Sequence, residues 1–314
     1  MRKSGKVFVT AAITGAVHVK SMSPYLPVTP QQIVDDAVRA YEAGASTAHI
    51  HTRNPETGEP DASIELMREV IEGIHRRCDM IVCATTGASQ MMSVEERLAP
   101  VIALQPELAT CNAGSMDFVL ADIADKIPDG YSWEKPYLEG TRDHVFANTY
   151  KGLETYIRTM NANGTRPEFE VYDPGMINNI AYFVKRGIVK TPVYIQFVTG
   201  IQGGIPASPK NLIFLVETAN ELLGEGNYFW SVAAAGRHQM PMAAVALALG
   251  GNVRVGLEDN LYLRPHVLAQ SSGEQVAAVR SMADALGLEL ATSAEVRQML
   301  TLRGADQAAS DPAK

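Results

Sequence analysis

Short β-rich apolar runs alternate with longer stretches of helical periodicity along almost the whole chain. The first run, "KVFVTAAIT" (6–14), is followed by "TPQQIVDDAVRAYEAGA" (29–45). That second segment opens with Thr29 in an N-cap position and Pro30 at the first helical position. Its apolar residues Ile33, Val34, Ala37, Ala40 and Tyr41 recur at the spacing of one helix face. The couplet then repeats as strand 46–54 with helix 63–77, strand 80–87 with helix 93–104, and strand 108–115. A longer segment, 116–140, interrupts the rhythm before a fourth helix at 141–164. Strand 167–174 with helix 176–187, strand 193–200 with helix 210–224, strand 228–236 with helix 239–251, and strand 252–260 with helix 272–287 complete the series. A short extra helix at 293–304 closes it.

Eight βα couplets in 314 residues fit a (β/α)₈ TIM barrel with parallel strands and right-handed crossovers. The expected architecture is one barrel domain over 1–314, with an insertion after strand four, an extra C-terminal helix and a frayed tail from about 304. A doubly wound open sheet is the alternative, but no G-x-G-x-x-G follows the first strand. In a barrel the chemistry gathers where strands end and βα loops begin. His49 and His51 end strand two, and Thr85, Thr86 and Gly87 end strand three. Thr110 and Asn112 end strand four, Glu170 lies in strand five, and Glu258 and Asp259 end strand eight.

Composition narrows the classes. The chain is 46% hydrophobic, enough for a large core. A net charge of −8 gives no support to nucleic-acid binding, though local groups can still hold a phosphorylated ligand. Cys78, Cys83 and Cys111 show neither metal spacing nor a disulfide framework, which suits a reducing cytoplasm. Cys83 and Cys111 lie in apolar runs and read as small buried hydrophobes. The N-terminus reads as a first strand rather than a signal peptide, and no apolar stretch reaches the roughly 18 residues of a membrane span.

Residues two apart on a strand share a face, so the His49-x-His51 pair sets two imidazoles side by side. The plain alternative is two rings satisfied by polar neighbours. The functional reading is a metal such as Zn²⁺, which at catalytic sites takes three protein ligands and keeps an open position. In "NVRVGLEDN", Val253, Val255 and Leu257 share one face, while Arg254, Gly256 and Glu258 share the other. With the apolar set against the helices, Arg254 and Glu258 point inward, and an inward charge needs a partner or a purpose. Strand eight closes beside strand one, next to strand two, so Glu258 can reach the two histidines. A structural Arg254–Glu258 or Arg254–Asp259 pair is the alternative. The glycine-rich loop "TGIQGGIPASPKN" and Arg237 and His238 of "GRHQMP" are weaker candidates for holding an anion.

The segments "AAITGA", "SPYLPVTPQQI", "AHIHTR", "TTG", "ATCNAGS", "EVYDPGM", "IQFVTGIQGG", "GRHQMP" and "RVGLEDN", taken in order, resemble the β-keto acid cleavage enzyme family. The resemblance runs from the first strand to the last βα couplet. It implies a zinc-dependent barrel, assembled as a homotetramer, that condenses a β-keto acid with acetyl-CoA to give acetoacetate and a shortened acyl-CoA. It further implies His49, His51 and Glu258 as metal ligands and Asp259, adjoining Arg254, as the base. Thr85, Thr110, Asn112 and Glu170 fall among its pocket positions. Arg254 is expected to orient Asp259 and keep it ionised, because a neighbouring cation lowers a carboxyl pKa.

Two features depart from the family members that cleave 3-keto-5-aminohexanoate. Those enzymes carry an acid directly after "AAITGA", where this chain has Val17, and their 116–140 segment is shorter. A buried ammonium without a counter-charge is costly, so Val17 points to an acid with an uncharged distal group. Competing readings are an amidohydrolase-like barrel hydrolase and a non-enzymatic metal- or ligand-binding barrel. The first needs further histidines on later strands, and strands three to six end without one. The second does not account for the inward Arg254, Glu258 and Asp259.

Overall fold

A computed structural model describes residues 5–88 and 92–304; the tail expected to fray, apart from residue 304, lies outside them. Eight parallel strands close into a barrel. They are β1 (Val9–Ala12), β2 (Thr47–Ile50), β3 (Ile81–Ala84), β4 (Leu108–Asn112), β5 (Arg166–Val171), β6 (Val193–Thr199), β7 (Tyr228–Ala234) and β8 (Asn252–Val255). Each pairs with its neighbours in sequence, and β8 returns to β1 with Arg254 opposite Thr10. The expected (β/α)₈ barrel is therefore the observed fold.

The helices are α1 (Pro30–Ala43), α2 (Ile64–His75), α3 (Val94–Leu104), α4 (Glu134–Gly140), α5 (Tyr150–Ala162), α6 (Pro174–Lys185), α7 (Pro209–Leu223), α8 (Gln239–Leu249), α9 (Ser272–Ala285) and α10 (Ser293–Leu300). Their starts are encoded locally. The Thr29 side chain accepts from Gln32 N while Gln32 reaches back to the cap backbone, and Pro30 supplies the preset φ. Ser93 with Glu96 and Thr292 with Glu295 repeat that box at α3 and α10.

Strand alternation sorts the two faces. Val9, Ala11, Ala48, Ile50, Val253 and Val255 pack outward against the helices in the main core. Phe8, Ile81, Cys83, Leu108 and Tyr194 line the barrel bottom, where Val296 and Leu300 of α10 plug it. Cys83 and Cys111 are buried, as expected of small hydrophobes.

The insertion is longer than the sequence pattern indicated. Residues 141–149 do not begin the fourth barrel helix. Met116–Asp117 pairs antiparallel with Val145–Phe146, enclosing α4 and two 3₁₀ turns, and α5 starts only after Thr149 caps Gly152 N. The stretch "TRDHVFAN" holds no Gly or Pro to signal the break. The inserted unit packs Leu120, Ala124, Ile127 and Leu138 on Val19, with Val17 and Met22 alongside, over the C-terminal mouth of the barrel. No helix among the described residues is long and apolar enough to cross a membrane.

Candidate active site

Two interlocking backbone devices build the mouth. The first ends β8. Gly256 has φ 152°, and a Cβ there would lie 1.9 Å from the Ala12 carbonyl oxygen. The chain turns at that point, with Asp259 N and Asn260 N both donating to Gly256 O at 3.2 and 3.1 Å. Simple alternation would send Glu258 inward and Asp259 outward; the turn delivers both carboxylates to the cavity. The second device is Arg53, 1% exposed. Its guanidinium donates to Thr14 Oγ1, to the carbonyls of Thr14, Gly15 and His18, and to Gly58 O. It thereby clamps the loop after β1 to the loop after β2. Gly15 sits so close there that a Cβ would fall 2.3 Å from Glu258 Cγ. His18 Nδ1 donates to Leu257 O at 2.8 Å. Burial lowers the His18 pKa to about 4, so its ring is neutral.

The two imidazoles meet through their Nε2 atoms, 3.1 Å apart. Glu258 Oε1 lies 3.3 Å from His49 Nε2 and 3.6 Å from His51 Nε2. These three edges bracket the ~3.3 Å expected between tetrahedral zinc ligands at bond lengths near 2.0–2.1 Å. Glu258 Oε2 and both Nδ1 atoms are buried without a hydrogen-bond partner among the described residues. Charge points the same way. Arg254 contacts Glu170 (3.1 Å), Glu258 (2.7 Å) and Asp259 (3.0 Å). One cation against three carboxylates leaves an excess of two negative charges when all are ionised, the charge of one divalent metal. Two imidazoles and a carboxylate also match zinc chemically, so the residues fit the ion.

Burial opposes the Glu258 charge, but His49, Arg254 and His51 together hold its pKa well below the carboxylate range. Burial drops His51 to about 3, leaving the neutral ring that a metal requires. Arg254 grips Asp259 through both carboxylate oxygens, Nε to Oδ2 and Nη2 to Oδ1. The Asp259 pKa nevertheless moves up, because burial outweighs the guanidinium. The expected lowering by Arg254 is present as a component and loses to desolvation. Burial likewise raises Glu170, with Arg254 and His49 opposing.

Thr85, Thr110, Asn112, Glu170 and Val17 all line the same cavity of about 410 Å³, within the usual range for small-molecule sites. Thr85 Oγ1 accepts from Gly87 N and Thr110 Oγ1 from Thr86 N, so each hydroxyl keeps its own proton for a second bond. The glycine-rich loop after β6 reaches the cavity at Gly200, Ile201 and Gln202. Three of its amides are engaged by protein: Gly200 N and Gly204 N bond within the loop, and Ile205 N bonds Tyr172 O. Arg237 is exposed and does not line the cavity, and His238 does not line it either.

A family model for "beta-keto acid cleavage enzyme" matches residues 6–302. The chain belongs to the β-keto acid cleavage enzyme family. It is 45% identical to a 3,5-dioxohexanoate:acetyl-CoA acetone transferase of Paraburkholderia graminis, over 97% of this chain and 98% of that protein. It is 38% identical to a 3-keto-5-aminohexanoate cleavage enzyme of Fusobacterium nucleatum, over 95% and 98%. Among solved structures, a ternary complex of ObcA with C4-CoA adduct and oxalate shares the fold, with TM-score 0.70 and 21% identity over 89% of this chain and 68% of that one. Within this family member, sequence reasoning overlooked Arg53, Gly15 and the cavity-lining Tyr137 and Phe118. Arg53 sits inside the "AHIHTR" segment, and a charged residue on a strand that ends at the mouth was the available signal.

Proposed function

We propose that this chain condenses a β-keto acid with acetyl-CoA, releasing acetoacetate and the CoA ester of the shortened acid. The observation that carries the reading is the convergence of His49, His51 and Glu258 beside an Asp259 gripped by Arg254, all in one cavity. Family membership and the acetyl-CoA-dependent relatives support it. His49, His51 and Glu258 would hold Zn²⁺, which when bound supplies Lewis-acid stabilisation of negative charge on the ketone oxygen.

The chain's own residues do the rest. Asp259 accepts the α-proton from the carbon between ketone and carboxylate, and its raised pKa suits a base that must take a proton. Arg254 positions Asp259 through the two-pronged contact. The carbanion adds to the thioester carbonyl, and the Thr85 and Thr110 hydroxyls offer donors to the tetrahedral oxyanion. Collapse expels CoA thiolate. The thiolate adds to the other ketone, cleavage of the carbon–carbon bond yields the new thioester and the acetoacetate carbanion, and that carbanion takes back the proton held by Asp259. No protein thiol takes part, in keeping with the pKa of buried Cys83 lying well above the thiol range and that of Cys111 near 12.

We assign the substrate's distal end to the wall of Val17, Phe118, Leu120, Ile123, Tyr137 and Phe146, which Asp122 and His144 also border. The apolar majority of that wall favours an uncharged tail, which the dioxohexanoate of the Paraburkholderia relative has and an aminohexanoate lacks. For the assembly we infer a cytoplasmic homotetramer of single-domain barrels over 1–314, to be checked by light scattering. The decisive test combines elemental analysis with acetoacetate release from acetyl-CoA and a panel of β-keto acids. One zinc per chain and turnover are expected, with both lost in His51→Ala. Full metal content in His51→Ala would defeat the ligand assignment, and no acetoacetate from any acid would defeat the reaction.

A further inference from the structure

Glu168 is a buried group that this mechanism leaves unused. It lies on β5 two residues before Glu170, so its side chain enters the barrel on the same face and one layer deeper. It is 0% exposed, and both of its carboxylate oxygens lack a hydrogen-bond partner among the described residues. Tyr194, on the neighbouring strand, bonds Ser231 Oγ at 3.0 Å, and its hydroxyl also acts on the Glu168 carboxylate against the rise in pKa from burial. A carboxylate buried with so few partners is expensive, and such groups persist where they have work to do. A ring nitrogen of His49, the Cys83 sulfur and a Glu168 oxygen all lie within 4.8 Å of one another, while His51 is outside that cluster. His49 presents Nε2 to His51 and Glu258, which leaves Nδ1, itself buried and partnerless. Nδ1 is thus the His49 nitrogen still in want of a partner, and a ring nitrogen of His49 lies within 4.8 Å of a Glu168 oxygen.

We propose that Glu168 is the positioning residue of His49, accepting its Nδ1–H from the layer beneath and so fixing the tautomer that presents Nε2 as a ligand. The inference rests on the reading of His49 as a metal ligand. A carboxylate behind a ligating histidine sets the ring's orientation and strengthens it as a donor, and losing it typically costs about 10- to 100-fold in metal affinity. Cys83 is a bystander in this arrangement, its thiol kept protonated by burial.

Glu168→Leu and Glu168→Gln separate this role from a structural one. Replacing an unpaired buried carboxylate with an apolar side chain of similar size is often neutral or stabilising. Glu168→Leu should therefore melt no lower than the wild type while binding zinc about 10- to 100-fold more weakly in chelator competition. Glu168→Gln keeps a carbonyl acceptor and should recover much of that affinity. A metal-independent measurement completes the test: imidazole ¹H–¹⁵N spectra of the metal-free protein should show a hydrogen-bonded proton on His49 Nδ1, beside the one that Glu258 favours on Nε2, and Glu168→Leu should remove that Nδ1 hydrogen bond. Wild-type zinc affinity together with an unchanged His49 Nδ1 hydrogen bond in Glu168→Leu would overturn the proposal. So would two zinc ions per chain falling to one in Glu168→Leu, which would make Glu168 a ligand. If the wild type binds no zinc, the metal reading fails, and the Nδ1 measurement still decides whether Glu168 holds His49.

Discussion

The two ends of the barrel interior share the same eight strands and follow opposite rules. At the bottom, Phe8, Ile81, Leu108 and Tyr194 meet Ala291, Val296 and Leu300 in an apolar plug. At the mouth, His49, His51, Glu170, Arg254 and Glu258 are also almost fully buried, yet they are charged or polar. Several of their atoms have no hydrogen-bond partner among the described residues. Burial stabilises the plug, because apolar area leaves water and the Tyr194 hydroxyl is bonded to Ser231. Burial at the mouth raises free energy and is tolerated because Arg254 and the residues around it compensate in part. Stability and chemistry are thus separated along the barrel axis, a few ångströms apart on the same strands.

The largest expected effect breaks the mouth and spares the bottom. Asp259→Asn keeps the shape and an acceptor for Arg254 but cannot take a proton. Turnover should fall by about 10²- to 10⁴-fold, with metal content and melting temperature little changed. A loss below tenfold, with proton abstraction shown to be rate-limiting, would move the base to another carboxylate, Glu170 first. The mirror experiment breaks the bottom and spares the mouth. Phe8→Ala empties a fully buried site against Tyr194 and should destabilise the fold by about 3–5 kcal/mol in denaturant titration. The kcat/KM of the molecules that remain folded should be unchanged; a large drop would show that the two ends are coupled. The smallest effect sharpens the mouth itself. Val17→Glu places a carboxylate on the apolar outer wall and should shift kcat/KM toward an ammonium-bearing acid. The shift should be about two- to fivefold, the scale of a partly solvated ion pair. An unchanged ratio between methyl- and ammonium-terminated acids would take residue 17 away from the substrate's distal end.

Much of this was legible in the chain. The α1, α3 and α10 starts are written in Thr29–Pro30–Gln32, Ser93–Glu96 and Thr292–Glu295, because a cap acts within four residues. The inward direction of His49, His51, Arg254 and Glu258 follows from period-two alternation against an apolar opposite face. The insertion resisted reading. Its 141–149 stretch has helix-compatible composition, and its true partner, Met116–Asp117, lies about 30 residues earlier. Glu168 also escaped notice, since a glutamate in a strand acquires meaning only from what surrounds it in the barrel.

By itself, the sequence determined the eight couplets, the closed barrel they imply, the helix caps and the pair of imidazoles on one strand face. All of these depend on contacts within a turn of helix or on the two-residue period of a strand. The tertiary structure alone decided how Asp259 reaches the cavity beside Glu258, how one Arg254 serves three carboxylates, how Arg53 clamps the first loop, and which wall the inserted unit lays over the mouth. Several of those outcomes join residues tens of positions apart, as Arg254 with Glu170 and Arg53 with Thr14. Their energies come from desolvation and charge in a shared interior, and neither exists until the barrel has closed.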